Sequence, residues 1–105
     1  MDINGLQARA VEIAESYDRH HVAAGREPWS TGDLTLGFVG DVGDLAKLVA
    51  AVDGRREIPD ARARLGHELA DCLWSVLVLA DRYGVDLTTE FARMTDAIEQ
   101  DLNPG

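Results

Sequence analysis

A chain of 105 residues, 46% apolar and 28% charged, has room for one domain and one core, burying roughly two thirds of the surface its unfolded form exposes. Nineteen acidic against ten basic residues leave a formal charge of −9, which repels nucleic-acid backbones, so a nucleic-acid polymer is excluded and any nucleotide partner is expected to arrive with a cation. The longest apolar run, inside "CLWSVLVLA", is far below the ~20 residues of a membrane helix, and a single cysteine excludes an internal disulfide and a cysteine-based zinc site.

The opening "MDINGLQARAVEIAESYDR" carries acids where a secretory signal carries basic residues and then an unbroken apolar stretch. The expectation is a cytoplasmic protein with no membrane partner.

Four segments have apolar residues at helical spacing and none alternates like a strand, so the chain reads as all-α. The first spans about Ile3 to Val22, with Ile3, Leu6, Ala10, Ile13 and Tyr17 on one face, and stops in "AAGREPW" at Gly25 and Pro28. The second begins at Ser30, which suits an N-cap with Asp33 as the third residue of a capping box, and runs to about Val52 before Asp53-Gly54. The third starts near Pro59 and Asp60, both suited to a first turn, and continues to Tyr83 before Gly84. The fourth, capped by Asp86 or Thr88, is expected to turn Phe91, Met94, Ile98 and Leu102 inward.

Short connections make helices two, three and four antiparallel neighbours, and the simplest architecture is a compact four-helix bundle forming one domain over residues 1–105. On the third helix Leu65, Leu69, Val76, Leu79 and Tyr83 form an apolar face, while Leu73, Trp74, Leu77 and Val78 carry apolar character around most of the circumference. A helix of that kind is buried on all sides, more cover than one small bundle provides, so a homodimer or homotetramer is expected. Cys72, mid-helix among Leu69, Leu73 and Val76, reads as a small core residue.

The stretch "GFVGDVGDLAKL", residues 37–48, has glycine at every third place at its start. It is not a phosphate loop: no strand precedes it, no Gly-Lys-Ser/Thr follows, and Phe38, Val42, Leu45 and Val49 keep helical register through it. A helical glycine costs about 1 kcal/mol relative to alanine, so Gly37, Gly40 and Gly43 are read as clearance for a backbone or ligand. The aspartates matter more. Phe38, Asp41, Val42, Asp44, Val49 and Val52 match Leu65, Glu68, Leu69, Asp71, Val76 and Leu79 at a constant offset of 27 residues. At 100° per residue, Asp41 and Glu68 lie roughly 60° from the apolar centre of their helices, and Asp44 and Asp71 roughly 120° on the same side. Antiparallel packing about an approximate two-fold lets four carboxylates converge on one edge of the interface. Such a group calls for a counter-ion, and an all-oxygen donor set favours Mg²⁺ or Mn²⁺ over zinc or copper.

These motifs, with "HELADCLWSVLVLADRYGVDL" and the Trp29 that precedes the second helix, resemble the MazG-like nucleotide pyrophosphohydrolases of the all-α NTP pyrophosphatase superfamily over about residues 29–91. The resemblance implies Mg²⁺-dependent hydrolysis of a nucleoside triphosphate, usually a deoxynucleotide, to the monophosphate and pyrophosphate. It assigns metal binding to Asp41, Asp44, Glu68 and Asp71, and a mechanism consistent with the acid pattern and the resemblance has Asp41 ligate the metal or help orient the attacking water. It also makes Trp29 a candidate base-stacking residue, and Lys47, one turn beyond Asp44, a candidate phosphate contact. The sequence departs from the family in three respects: aspartates replace both glutamates of the first acid pair, Gly40 stands where many members have a further glutamate, and "RMTDAIEQDLN" lacks the family's lysine and asparagine. A turnover-free nucleotide-binding or protein-interaction module of the same fold is therefore the alternative reading.

Three features remain. His20-His21 reads as a polar helix end, and His67 is not at the Glu-x-x-His spacing of a di-iron bundle. Arg55, Arg56, Arg62 and Arg64 form the one basic cluster, a candidate phosphate-facing lid.

Overall fold

The computed structural model describes Met1–Gly105. It is all-α: α1 Ile3–Ala23, α2 Thr31–Val52, α3 Ala61–Arg82 and α4 Leu87–Leu102. No helix is long and apolar enough to cross a membrane.

The helix ends follow local chemistry. At α2 the Ser30 hydroxyl accepts from Asp33 N at 3.0 Å and the Asp33 carboxylate accepts from Ser30 N at 2.9 Å, the reciprocal capping box. The Ser30 amide, and after it the Ser30 side chain, hold the Asp33 carboxyl below its ordinary range. Asp86, rather than Thr88, caps α4 by accepting from Thr89 N. Helices α1, α2 and α3 each terminate in a left-handed glycine, Gly25, Gly54 and Gly84. In each case the next amide bonds back to a carbonyl five residues earlier, as Arg26 N does to His21 O and Val85 N to Ala80 O. The start of α3 departs from expectation: the helix begins at Ala61, and Asp60 sits at φ 55 with no side-chain capping bond. Pro59 and Asp60 therefore precede the first turn.

The antiparallel pair α2–α3 makes the most extensive interface, and α1 packs on α3. Ala10, Leu34, Leu77 and Val78 form the core where these three helices meet. Two bonds fasten α1 to α3, from Trp74 Nε1 to Ala10 O at 3.2 Å and from Gln7 Nε2 to Leu77 O at 3.1 Å. Helix α4 is anchored by Leu87, which packs against the core, and contains no buried residue. Phe91, Met94, Ile98 and Leu102 do not face inward as the spacing predicts; they are 65%, 52%, 50% and 75% exposed. Four linking residues separate α3 from α4. Among the apolar residues of α3, Leu77 and Val78 are buried whereas Leu69 and Leu73 are exposed, and Cys72 is half-buried.

Candidate metal centre and adjoining cleft

The 27-residue correspondence between α2 and α3 has a direct spatial consequence. Asp41 and Asp44, one turn apart on α2, meet Glu68 of α3 so that one carboxylate oxygen from each lies within 4.8 Å of the others. Asp41 and Glu68 are half-buried and Asp44 is exposed, which leaves the cluster covered by protein on one side and open to water on the other. Burial pushes the carboxyls of Asp41 and Glu68 upward, and like charges add to it: Asp71 and then Asp44 beside Asp41, and Asp41, Asp71 and Asp44 beside Glu68. Glu68 Oε2 is buried with no hydrogen-bond partner. An orphaned carboxylate oxygen among two further carboxylates fits a hard divalent cation, because every donor is an oxygen and none is a nitrogen or thiolate.

Asp71, the fourth acid of the sequence pattern, is close enough to raise both neighbours but does not join the three-oxygen cluster. Its Oδ2 lies 3.3 Å from Nε2 of His67, one turn back on α3. The i, i+4 geometry brings the two side chains onto one helix face. Cys72 is also affected: burial and then the charges of Asp41, Glu68 and Asp71 push its thiol upward, which disfavours a nucleophilic thiolate.

A cleft of about 660 Å³ adjoins the cluster. Its polar lining includes Asp33, Asp41, Asp71 and His67, and its aromatic lining is Tyr17, Trp29 and Trp74. The Tyr17 and Trp29 rings are 5.2 Å apart and tilted, and Tyr17 meets Trp74 edge-on at 5.9 Å. Arg82 reaches from the end of α3 to Trp29 O and Thr31 Oγ1, holding the segment that carries Trp29 against the bundle. Gly37 also lines this cleft, and a Cβ there would meet no atom within 4 Å. The same holds at Gly40 and Gly43, so no close approach within the chain requires these glycines.

His20 and His21 lie in the last turn of α1, as expected of a polar helix end, but His21 is buried. It is 7% exposed, among the most buried polar side chains of the chain, and its ring lies 4.6 Å from that of Trp29. With Tyr17, His20, Arg26 and Trp29 it lines a second, smaller cleft of about 370 Å³ that shares the Tyr17–Trp29 wall. The signal in the sequence was the i, i+4 spacing of Tyr17 and His21, which places both rings on the α1 face that approaches Trp29. Lys47 is exposed and lines neither cleft, as are Arg55, Arg56, Arg62 and Arg64.

No protein-family model, curated protein or solved structure matches the chain.

Proposed function

We propose that this protein is a divalent-cation-dependent nucleoside triphosphate pyrophosphohydrolase of the MazG-like kind. Its substrate is a (deoxy)nucleoside triphosphate, its products are the monophosphate and pyrophosphate, and it works in the cytoplasm as a homodimer or homotetramer. The observation that supports this reading is the shared position of Asp41, which belongs both to the three-carboxylate cluster and to a cleft also lined by Tyr17, Trp29 and Trp74. A charged polyphosphate and a flat apolar base are the two halves of one nucleotide, and a carboxylate cluster adjoining a cleft with aromatic lining suits both.

Asp41, Asp44 and Glu68 would hold the cation, Mg²⁺ or Mn²⁺, with Asp71 as the nearby fourth acid. When bound, such an ion neutralises phosphate charge and lowers the pKa of coordinated water. The chain's own groups do the rest. Trp29 and Tyr17 stack on the base, Trp74 is held by its bond to Ala10 O and fixes the cleft's inner wall, and Gly37 leaves room beside Asp41. Asp41, half-buried with a raised carboxyl, is suited to orient water toward the α-phosphorus. The bond that breaks joins that phosphorus to the bridging oxygen, and pyrophosphate leaves.

The test is a panel of canonical and modified dNTPs with Mg²⁺ or Mn²⁺ at stoichiometric protein. Absence of pyrophosphate release from every one of them defeats the enzymatic reading. The engagement of Asp71 by His67 and the short aspartates on α2 favour one alternative, a nucleotide-binding module without turnover. Calorimetry distinguishes it, since that module takes up the cation–nucleotide complex and yields no monophosphate.

A further inference from the structure

Helix α2 presents Asp33, Gly37 and Asp41 to the larger cleft at steps of four residues, so the three positions lie on one face of the helix. At a rise of about 1.5 Å per residue, Asp33 stands about 12 Å from Asp41 along the axis. Gly37 between them puts no side chain in the way, and a Cβ there would meet no atom within 4 Å. Because α3 runs antiparallel to α2, Trp74 is displaced from Glu68 and the carboxylate cluster in the same direction, by about 9 Å. Trp29 immediately precedes that end of α2. A nucleotide whose phosphates meet the cluster therefore has its sugar over Gly37 and its base beside Trp29, Trp74 and Asp33.

Asp33 is suited to read the base. Its Oδ2 accepts from Ser30 N at 2.9 Å, which fixes the direction of the side chain and leaves Oδ1 with no partner in the chain. Its carboxyl is held below the ordinary range, so at neutral pH the group accepts hydrogen bonds and donates none. Ser75, next to Trp74 on α3, also lines the cleft and is 4% exposed, with a hydroxyl bonded to no other residue. A hydroxyl both donates and accepts, so Ser75 serves any base edge and the choice falls to Asp33. A carboxylate attracts the exocyclic amine of cytosine or adenine and repels the carbonyl oxygen that replaces it in uracil, thymine or hypoxanthine. The ring N–H of those oxo bases adjoins the same carbonyl, so turning it toward Asp33 keeps the repulsion.

We propose that the cleft selects nucleotides whose base carries an amino group where uracil and hypoxanthine carry a carbonyl oxygen, the cytosine and adenine class, and that Asp33 makes the selection. This names the substrate class of the site above; it rests on the nucleotide reading of that site and not on turnover.

The experiment is calorimetry on the full chain with Mg²⁺ and the uncleavable α,β-imido analogues of dCTP, dUTP, dATP and dITP, two pairs that each differ by one amino-for-oxo exchange. A hydrogen bond to an exposed charged group supports a preference of about 10-fold for the amino member of each pair. In Asp33→Asn the bond from Ser30 N retains the amide oxygen, so an NH2 group replaces Oδ1 and the preference should invert toward the oxo members. Ser30→Ala loosens the same helix end and leaves the Asp33 carboxylate, so it should keep the wild-type preference. Analogues that bind without distinguishing amino from oxo, or that favour oxo in the wild type, overturn the selection and leave the nucleotide reading standing. A preference that Asp33→Asn keeps, or that Ser30→Ala abolishes equally, overturns the assignment to Asp33. If no analogue binds, the nucleotide reading falls and the selection with it.

Discussion

Glu68→Gln is expected to make the metal-free protein more stable and the metal-loaded protein less so. In the wild type Glu68 faces Asp41 and Asp44 with oxygens within 4.8 Å. At that separation a pair of charges repels by about 3.5 kcal/mol at an effective dielectric of ~20 and by about 0.9 kcal/mol in water. The cluster is open to solvent on the Asp44 side, so screening brings the relief on neutralising Glu68 to about 1 kcal/mol. For a domain of this size that corresponds to a rise in Tm of roughly 4–8 °C in chelator at pH 7.5. The sign reverses with cation: millimolar Mg²⁺ or Mn²⁺ should raise the wild-type Tm by mass action and leave the variant nearly unmoved.

The pH dependence of that difference has a definite direction. The folded protein holds the Glu68 and Asp41 carboxyls above their ordinary values through burial and neighbouring charge. The unfolded chain therefore ionises first. Stability contributed by the protonated forms is present below the ordinary carboxylate range and is lost as pH rises through the raised values. The variant's advantage should accordingly vanish near pH 3 and grow to a plateau above the raised carboxyl range. Differential scanning fluorimetry across pH, with and without cation, measures all of this. A Glu68→Gln protein that melts lower in chelator, or that gains as much from Mg²⁺ as the wild type, refutes the cluster as an electrostatically strained cation site.

Three further outcomes follow from the geometry. Ser30→Ala should lower Tm by about 4–8 °C through loss of a cap worth about 1 kcal/mol; the Asp33 contribution has the opposite pH sense to Glu68, being present above the ordinary carboxylate range and lost as pH falls through the depressed value. Trp29→Ala should weaken nucleotide binding by roughly 10-fold, the loss of one base–aromatic stack, and leave the Mg²⁺-induced rise in Tm unchanged; calorimetry separates the two effects. Gly43→Ala should stabilise the protein by up to about 1 kcal/mol, because a Cβ there meets nothing within 4 Å; a destabilised variant in chemical denaturation would count against an unobstructed helix surface.

Much of the architecture was legible without coordinates because it depends on near-neighbour chemistry. Ser30 with Asp33, Asp86 with Thr89, and the glycines that end α1, α2 and α3 are each contacts within a few residues, so helix limits can be read from them. The meeting of Asp41, Asp44 and Glu68 was legible for a related reason: a constant offset between two antiparallel helices carries equal angular positions into equal spatial ones. Asp71 was not, because its choice between the cluster and His67 depends on side-chain rotamers. Nor was the role of His21, whose burial depends on where the Trp29 loop crosses α1.

Periodicity alone determined that four amphipathic helices form and which face of each is apolar. It did not determine what covers those faces. An apolar stripe such as Phe91–Leu102 has the same spacing whether or not its own core covers it, and only the tertiary structure shows these residues exposed. The tertiary structure also decided that carboxylates from α2 and α3 share a wall with aromatic rings from α1 and the α1–α2 loop. Those groups are far apart in sequence, and no local preference encodes the packing angle that brings them together.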